Sequence, residues 1–149
     1  MRTAVAIRSL QDNPYFAAKI RTVASSVTYL PQRPDHDRLQ QLLTDYDMVI
    51  LGIHERITRD MLRAGPVRTR VVGTLSVGTD HLDLPALSEA GIHVERCPTA
   101  NVRSVAEHAL ALLLSLSKHL KWGDRLTMES ESRDKLPSLP FEIGGKTLG

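Results

Sequence analysis

The chain has 149 residues, and its 19 Lys and Arg residues nearly balance its 17 Asp and Glu residues, which leaves a formal net charge of +2. Hydrophobic residues make up 42% of the chain and charged residues 24%, a balance that is typical of one globular domain and excludes disordered, collagen-like and coiled-coil proteins. A net charge this small also gives no electrostatic basis for binding nucleic acid or an anionic membrane.

The cysteine content and the apolar runs indicate where the protein resides. Cys97 is the only cysteine, so the chain can form neither an intrachain disulfide nor a cysteine-based zinc site, and a reducing compartment is expected. The most apolar run, residues 109–114, is six residues long, well short of the roughly 20 that cross a bilayer. Residues 4–7 are too few for the core of a signal peptide. We therefore expect a cytoplasmic protein without a membrane segment.

The first half of the chain alternates short β-branched runs with helical patterns. Residues 3–7 predict the first strand, and Pro14 in a first helical turn predicts a helix over residues 14–24. Residues 26–30 predict the second strand. After two prolines, Asp35 predicts the N-cap of a second helix, and residues 47–53 predict the third strand.

The alternation continues to about residue 96. Thr58 predicts the cap of a short third helix, and residues 70–75 predict the fourth strand. Asp83 predicts the cap of a fourth helix that ends before Gly91, and residues 92–95 predict the fifth strand. Because right-handed crossovers place helices on both faces of a sheet, five strands and four helices predict an α/β, flavodoxin-like, doubly wound parallel sheet of strand order 2-1-3-4-5.

The remaining residues do not continue this alternation of strands and helices. Residues 104–120 predict one long Ala/Leu-rich helix that opens with a capping box from Ser104 to Glu107. Its apolar side chains cover more than one face, so we expect it to pack between two bodies and, without the second one, to expose an apolar stripe that promotes self-association. Residues 122–140 are polar and predict a surface loop, and residues 144–149 resemble the approach to another strand.

The loops that follow the strands are where a doubly wound sheet binds ligands. In the turn at residues 76–80, Ser76 supplies a hydroxyl, Gly78 allows close approach of a ligand, and the backbone N–H groups can bind a carboxylate or a phosphate. The alternative is a tight turn in which Thr79 or Asp80 forms only local hydrogen bonds. The sequence does not decide between these two interpretations.

Other reactive residues give weaker indications of chemistry. No two of the six histidines have the His-Glu-x-x-His spacing of a helical metal site, and we predict no metal site. Cys97 follows a strand but has no identifiable activating partner, so a buried structural thiol is expected. Five arginines between Arg56 and Arg70 form either a solvated basic face or a surface that attracts an anionic substrate.

Four segments resemble one enzyme family. Residues 71–83 read VVGTLSVGTDHLD, residues 90–94 read AGIHV, residues 101–108 read NVRSVAEH and residues 145–149 read GKTLG. In this order and spacing they resemble the NAD-dependent D-2-hydroxyacid dehydrogenases, among them phosphoglycerate and erythronate-4-phosphate dehydrogenases. These enzymes transfer a hydride between a nicotinamide and a 2-hydroxy or 2-keto acid.

The resemblance implies a domain organisation. Residues 1–100 would be the substrate, or catalytic, domain, residues 101–121 the interdomain helix, and residues 122–149 a loop leading to an NAD-binding Rossmann domain that these residues do not include. The family's catalytic Arg, its acidic partner and its His also lie downstream, so no catalytic residue is expected in this chain. The resemblance further implies NAD or NADP as cofactor, a small 2-hydroxy or 2-keto acid as substrate, and a homodimer.

The resemblance also assigns individual residues. The backbone amides of Ser76, Val77 and Gly78 would bind the substrate carboxylate, and Val105, with Val77, would border the nicotinamide. Residues 52–58 are shorter than the family's Arg-Ser-x-Thr loop and differ from it, and His54 or Arg56 could reach the substrate from there. We expect the chain alone to be inactive. The alternative is a non-catalytic binding module derived from the same family.

Overall fold

The computed structural model describes residues 1–148, and its first unit, Met1–Ala100, is built around a five-stranded sheet. All four strand pairings are parallel, and the strand order is β2-β1-β3-β4-β5, which confirms the predicted topology. The strands are β1 (Arg2–Val5), β2 (Ser26–Tyr29), β3 (Met48–Leu51), β4 (Val71–Thr74) and β5 (His93–Arg96).

Four helices connect the strands, and each begins at a side-chain cap. The helices are α1 (Pro14–Ile20), α2 (His36–Asp45), α3 (Arg59–Arg63) and α4 (Leu84–Glu89). The predicted caps Asp35, Thr58 and Asp83 each accept a hydrogen bond from the backbone N–H three residues later. Asn13 does the same for α1. These bonds satisfy N–H groups that a helix cannot pair internally.

The sheet buries apolar side chains on both faces. All four residues of β3 are buried, as expected for the central strand of a parallel sheet. The larger cluster packs α2, α3 and α4 against one face and includes Leu42, Leu87 and Val72. The smaller cluster packs Ile20 and Phe16 of α1 against the other face. Helices on both faces make the sheet doubly wound.

A glycine ends α4 and turns the chain into β5. Gly91 has a φ of +69°, and its N–H donates to the Ser88 carbonyl. The next N–H, of Ile92, reaches back to the Leu87 carbonyl over 2.9 Å. This pattern closes the helix through a left-handed residue, a conformation that residues with a Cβ adopt at a cost.

The second unit begins at Asn101 and contains two helices where one was predicted. These are α5 (Val102–Ser117) and α6 (Leu120–Met128). The prediction of one helix over residues 104–120 is therefore wrong at both ends. His119 adopts a left-handed conformation with a φ of +53°, which breaks the helical hydrogen-bond ladder. The predicted capping box is also wrong, because α5 starts two residues before Ser104 and Asn101 caps it without a side-chain bond.

Residues 122–140 are not the uniform loop that the sequence predicts. Helix α6 occupies the start of this stretch, where Leu126 is buried and Arg125 forms an ion pair with Glu129 one turn later. A 3-10 turn follows at Arg133–Lys135. Gly123 lies within α6, so this glycine does not stop the helix. Residues 141–148 form no strand, and Gly149 lies outside the described residues. Among residues 1–148, no helix has the length and apolarity that a bilayer crossing requires.

One carboxylate joins three segments of the first unit. The Asp47 side chain accepts hydrogen bonds from the Arg2 backbone N–H over 2.6 Å and from Arg68 Nε over 2.7 Å. These two bonds, the Arg2 one first, hold the pKa of the Asp47 carboxyl below its usual value. The charged carboxylate therefore favours the folded state above the unfolded-state pKa.

We predict that Gly91→Ala destabilises the first unit by about 1 kcal/mol, because an alanine at φ +69° pays the cost of a left-handed Cβ. Gly65→Ala is the matched control. Both glycines follow short helices, and an added Cβ at either would meet no atom within 4 Å, but only Gly91 has a positive φ. Urea unfolding of both variants should show the loss at Gly91 alone, and equal midpoints would contradict this account.

We predict that Asp47→Asn lowers stability most at neutral pH and that the difference from the wild type shrinks as the pH falls through the lowered pKa. The folded-state pKa lies below the unfolded value near 3.8, so the contribution is complete above that value and is lost in acid. Denaturant titrations between neutral and acidic pH measure this difference. Asp12→Asn is the control, because it removes an exposed carboxylate of the same unit and should leave the stability unchanged at neutral pH.

Candidate functional site

The turn at residues 76–80 follows β4 at the carboxyl edge of the sheet, and hydrogen bonds from its surroundings hold it. Each carbonyl oxygen from Ser76 to Thr79 accepts one bond. The donors, in that order, are Cys97 N–H at 3.1 Å, Arg96 Nη1 at 3.2 Å, the Ser76 hydroxyl at 2.6 Å and Leu82 N–H at 2.8 Å. All four carbonyl groups are thereby occupied within the first unit.

The N–H groups of the same peptides are left without partners. In a trans peptide the N–H points opposite to the carbonyl, and the chain contains no cis peptide among its described residues. The N–H groups of residues 77–80 therefore point away from the groups that hold the carbonyls. None of them donates to an acceptor within residues 1–100. Consecutive N–H groups without protein acceptors can bind an anion in a turn of this kind.

The surface of the turn is accessible. Val77 and Gly78 are exposed, and Ser76 is buried beneath them. A Cβ at Gly78 would lie 3.5 Å from an Asp80 carboxylate oxygen, an ordinary contact. Arg96 adds a positive charge next to the turn through its bond to the Val77 carbonyl. The turn is therefore open to a ligand from solvent at Val77 and Gly78.

A buried hydrogen-bond chain lies beneath the turn. Thr74 Oγ1 lies 2.8 Å from Ser76 Oγ and 3.2 Å from His81 Nε2, and all three residues are buried. Burial lowers the pKa of the His81 imidazole below its usual value, in the same direction as nearby Arg56 and against Glu55 and Asp80. A neutral imidazole is therefore favoured at this position at neutral pH.

A buried carboxylate orders the loop after β3. Glu55 is 6% exposed, and its Oε2 accepts a hydrogen bond from the Gly52 N–H over 2.8 Å. Its Oε1 lies 3.4 Å from Arg33 Nε, and Arg33 also donates to the His54 carbonyl. These bonds tie the loop after β2 to the loop after β3 and account for the charge of the buried carboxylate.

Next to this carboxylate lies a cavity of about 530 Å³. The predicted residues His54 and Arg56 line it, together with Arg33 from the loop after β2 and His36 at the start of α2. The turn at residues 76–80 does not line this cavity. The structure thus places the predicted substrate residues in two neighbouring loops of one sheet edge, after β3 and after β4.

The two residues predicted to border a nicotinamide lie in different units. Val77 is 38% exposed in the first unit, and Val105 is 58% exposed on α5 in the second. Among the described residues, no group of three His, Cys, Asp or Glu side chains is arranged to hold a metal ion.

Four residues of the site were not singled out from the sequence: Thr74, His81, Glu55 and Arg96. Thr74 and Arg96 are the last residues of β4 and β5. For Thr74, the sequence offered one indication of a functional role, a polar residue at the inward-facing end of a strand. Glu55 and His81 lie in loops, where sequence periodicity says nothing about burial. Their roles depend on contacts between loops that are distant in sequence.

Comparison with known proteins identifies the family of this fold and site. The pattern of the family described as "D-isomer specific 2-hydroxyacid dehydrogenase, catalytic domain" matches residues 5–139. The chain is 32% identical over 108 residues to D-3-phosphoglycerate dehydrogenase of Synechocystis, an alignment that covers 72% of this chain and 19% of that protein. It is 30% identical over 119 residues to glyoxylate reductase of Pyrococcus furiosus, covering 76% of this chain and 35% of that protein.

A solved structure gives the same result for the fold. D-lactate dehydrogenase from Aquifex aeolicus, complexed with NAD and lactic acid, superimposes with a TM-score of 0.76 at 23% identity, over 96% of this chain and 41% of that one. The chain spans between 19% and 35% of the length of the two sequence relatives. It therefore belongs to the D-isomer-specific 2-hydroxyacid dehydrogenase family, as the catalytic, substrate-binding domain.

Proposed function

We propose that the turn at residues 76–80 binds the carboxylate of a small 2-hydroxy or 2-keto acid, as part of an NAD(P)-dependent dehydrogenase. The observation that carries this proposal is the set of N–H groups from Val77 to Asp80, which have no acceptor within residues 1–100 although each of their peptide carbonyls is held by a donor. A carboxylate suits this arrangement because both of its oxygens accept hydrogen bonds and its charge is stabilised by several N–H dipoles.

The remainder of the substrate would extend toward the cavity that contains His54 and Arg56. Two observations support this direction. Strand β4 pairs with β3 residue by residue from Met48↔Val71 to Leu51↔Thr74, so the loops that follow them are neighbours. Arg56 is also close enough to His81, beneath the turn, to influence the imidazole pKa. Arg56 would then select substrates whose distal group is polar or anionic.

The residues of this chain fit a nicotinamide cofactor only in part. Val77 and Val105 present exposed apolar side chains of the kind that can contact a flat ring. The chain has no Gly-x-Gly-x-x-Gly segment with which to hold a dinucleotide pyrophosphate. When bound, NAD or NADP supplies hydride transfer. This chain would supply the carboxylate site and one wall of the cleft that excludes water, and we propose that these 149 residues do not turn over substrate by themselves.

The apolar side chains of α5 support its assignment as an interdomain helix. Val105, Leu112 and Leu116 recur at helical spacing and are between 51% and 73% exposed. An apolar surface of this kind is rarely left in water by a globular protein. We propose that it packs against a second body in the whole protein, which we expect to be a cytoplasmic homodimer.

We predict that glycolate, the smallest 2-hydroxy acid, shifts the amide NMR resonances of residues 77–80 in the labelled chain at millimolar concentrations. Glycolamide has the same shape without the negative charge, and it should leave these resonances unchanged, because the site recognises a carboxylate. A titration in which both ligands have equal effects, or in which glycolate perturbs other regions only, would count against the proposed site.

We predict that the isolated chain self-associates through α5, because water contact with its apolar stripe is unfavourable. Sedimentation velocity should show oligomers that the double substitution Leu112→Glu with Leu116→Glu converts to monomers. Leu139→Glu changes an even more exposed leucine outside α5 and should leave the oligomers intact. A wild-type monomer would argue against an unpaired interdomain surface.

A further inference from the structure

The buried chain beneath the turn ends on the turn itself. From the inside outward, His81 Nε2 contacts Thr74 Oγ1 at 3.2 Å, Thr74 Oγ1 contacts Ser76 Oγ at 2.8 Å, and Ser76 Oγ donates to the Gly78 carbonyl oxygen at 2.6 Å. The last of these bonds holds the peptide whose N–H, that of Thr79, points outward.

The direction of every hydrogen bond in this chain follows from its last acceptor. A carbonyl oxygen only accepts, so the single proton of the Ser76 hydroxyl is used on Gly78. Ser76 Oγ must then accept the proton of Thr74. Thr74 has no second proton, so it must accept from His81, and His81 Nε2 must carry a hydrogen. The geometry therefore determines the tautomer of a buried imidazole.

We propose that His81 is a positioning residue that locks the anion-binding turn through a one-way hydroxyl relay over Thr74 and Ser76. The relay itself rests on the hydrogen bonds above, and its purpose rests on the proposed function of the turn. Without the Nε2 hydrogen, the Thr74 hydroxyl would be free to turn its own proton to the imidazole nitrogen. Ser76 would then lose its donor, and the Gly78 peptide would lose an ordered partner.

Because the three side chains are buried, the relay favours one arrangement of its hydrogen bonds. Thr74, Ser76 and His81 are each 8% exposed or less, so water cannot readily replace a missing donor or acceptor. Two other carbonyls of the turn have partners outside the relay. The Val77 carbonyl accepts from the Arg96 side chain, and the Ser76 carbonyl accepts from the Cys97 N–H. The relay is the inner support, and it alone reaches the Gly78 carbonyl.

The direct test needs no substitution. Nitrogen NMR of the imidazole in the wild-type chain distinguishes a hydrogen on Nε2 from one on Nδ1 in the neutral ring. We expect His81 to be the Nε2–H tautomer at neutral pH. A neutral Nδ1–H ring would overturn the relay, because Thr74 would then have to donate in the opposite direction.

A second test compares substitutions that change only a hydroxyl. In Thr74→Val the relay is cut, and we expect the backbone order parameters of residues 77–79 to fall from about 0.85 toward 0.6. Glycolate should bind roughly fivefold more weakly, the change that the loss of one hydrogen bond produces. Thr74→Ser keeps the hydroxyl and should restore both properties.

Thr3→Val is the matched control for a lost threonine hydroxyl in the same sheet. Thr3 is fully buried on β1, and its Oγ1 has no hydrogen-bond partner within residues 1–100. This variant should leave the turn ordered. Equal order in Thr74→Val and the wild type would overturn the proposal. If the Thr74→Val chain does not fold, the His81 tautomer measured in the wild-type chain decides whether the relay exists. If the wild-type chain binds no glycolate, the proposed function fails while the tautomer and the order parameters still test the relay.

Discussion

The parallel pairing of β4 with both β3 and β5 is the constraint on which the candidate site depends. The register aligns Thr74 at the end of β4 with Leu51 on one side and Arg96 on the other. The three loops that follow must therefore leave the sheet side by side. As a result, Cys97 and Arg96 after β5 can hold the carbonyls of the turn after β4, although about twenty residues separate them in sequence.

Electrostatics at this edge depend on how the buried polar groups are compensated. The carboxylate of Glu55 is buried, but it accepts a hydrogen bond from the Gly52 N–H and forms an ion pair with Arg33. The surface of the turn carries the Arg96 guanidinium, the unpaired N–H groups and the Asp80 carboxylate. A buried acid next to an anion site would otherwise oppose binding, and the Arg33 pairing explains how both are present.

The second unit shows where patterns in a sequence mislead. Ser104 and Glu107 have the spacing of a capping box, yet both lie inside α5, which already begins at Val102. The break at His119 has no glycine or proline to announce it. The Lys118 ammonium and the Ser117 carbonyl both bond to Phe141 in the returning segment. Such long-range bonds fix the end of a helix in a way that local propensity does not express.

The sequence by itself determined the strand order, the helix caps at Asp35, Thr58 and Asp83, and the end of α4 before Gly91, because each depends on local chemistry or on the handedness of crossovers. It also determined that the loop after β4 is rich in groups able to bind an anion. Only the tertiary structure decided that the carbonyls of Ser76 to Thr79 are paired and that the N–H groups of residues 77–80 have no acceptor within residues 1–100. The partners that do so, Arg96, Cys97 and the relay from His81, become neighbours only when separate strands align, and a linear pattern contains no record of that alignment.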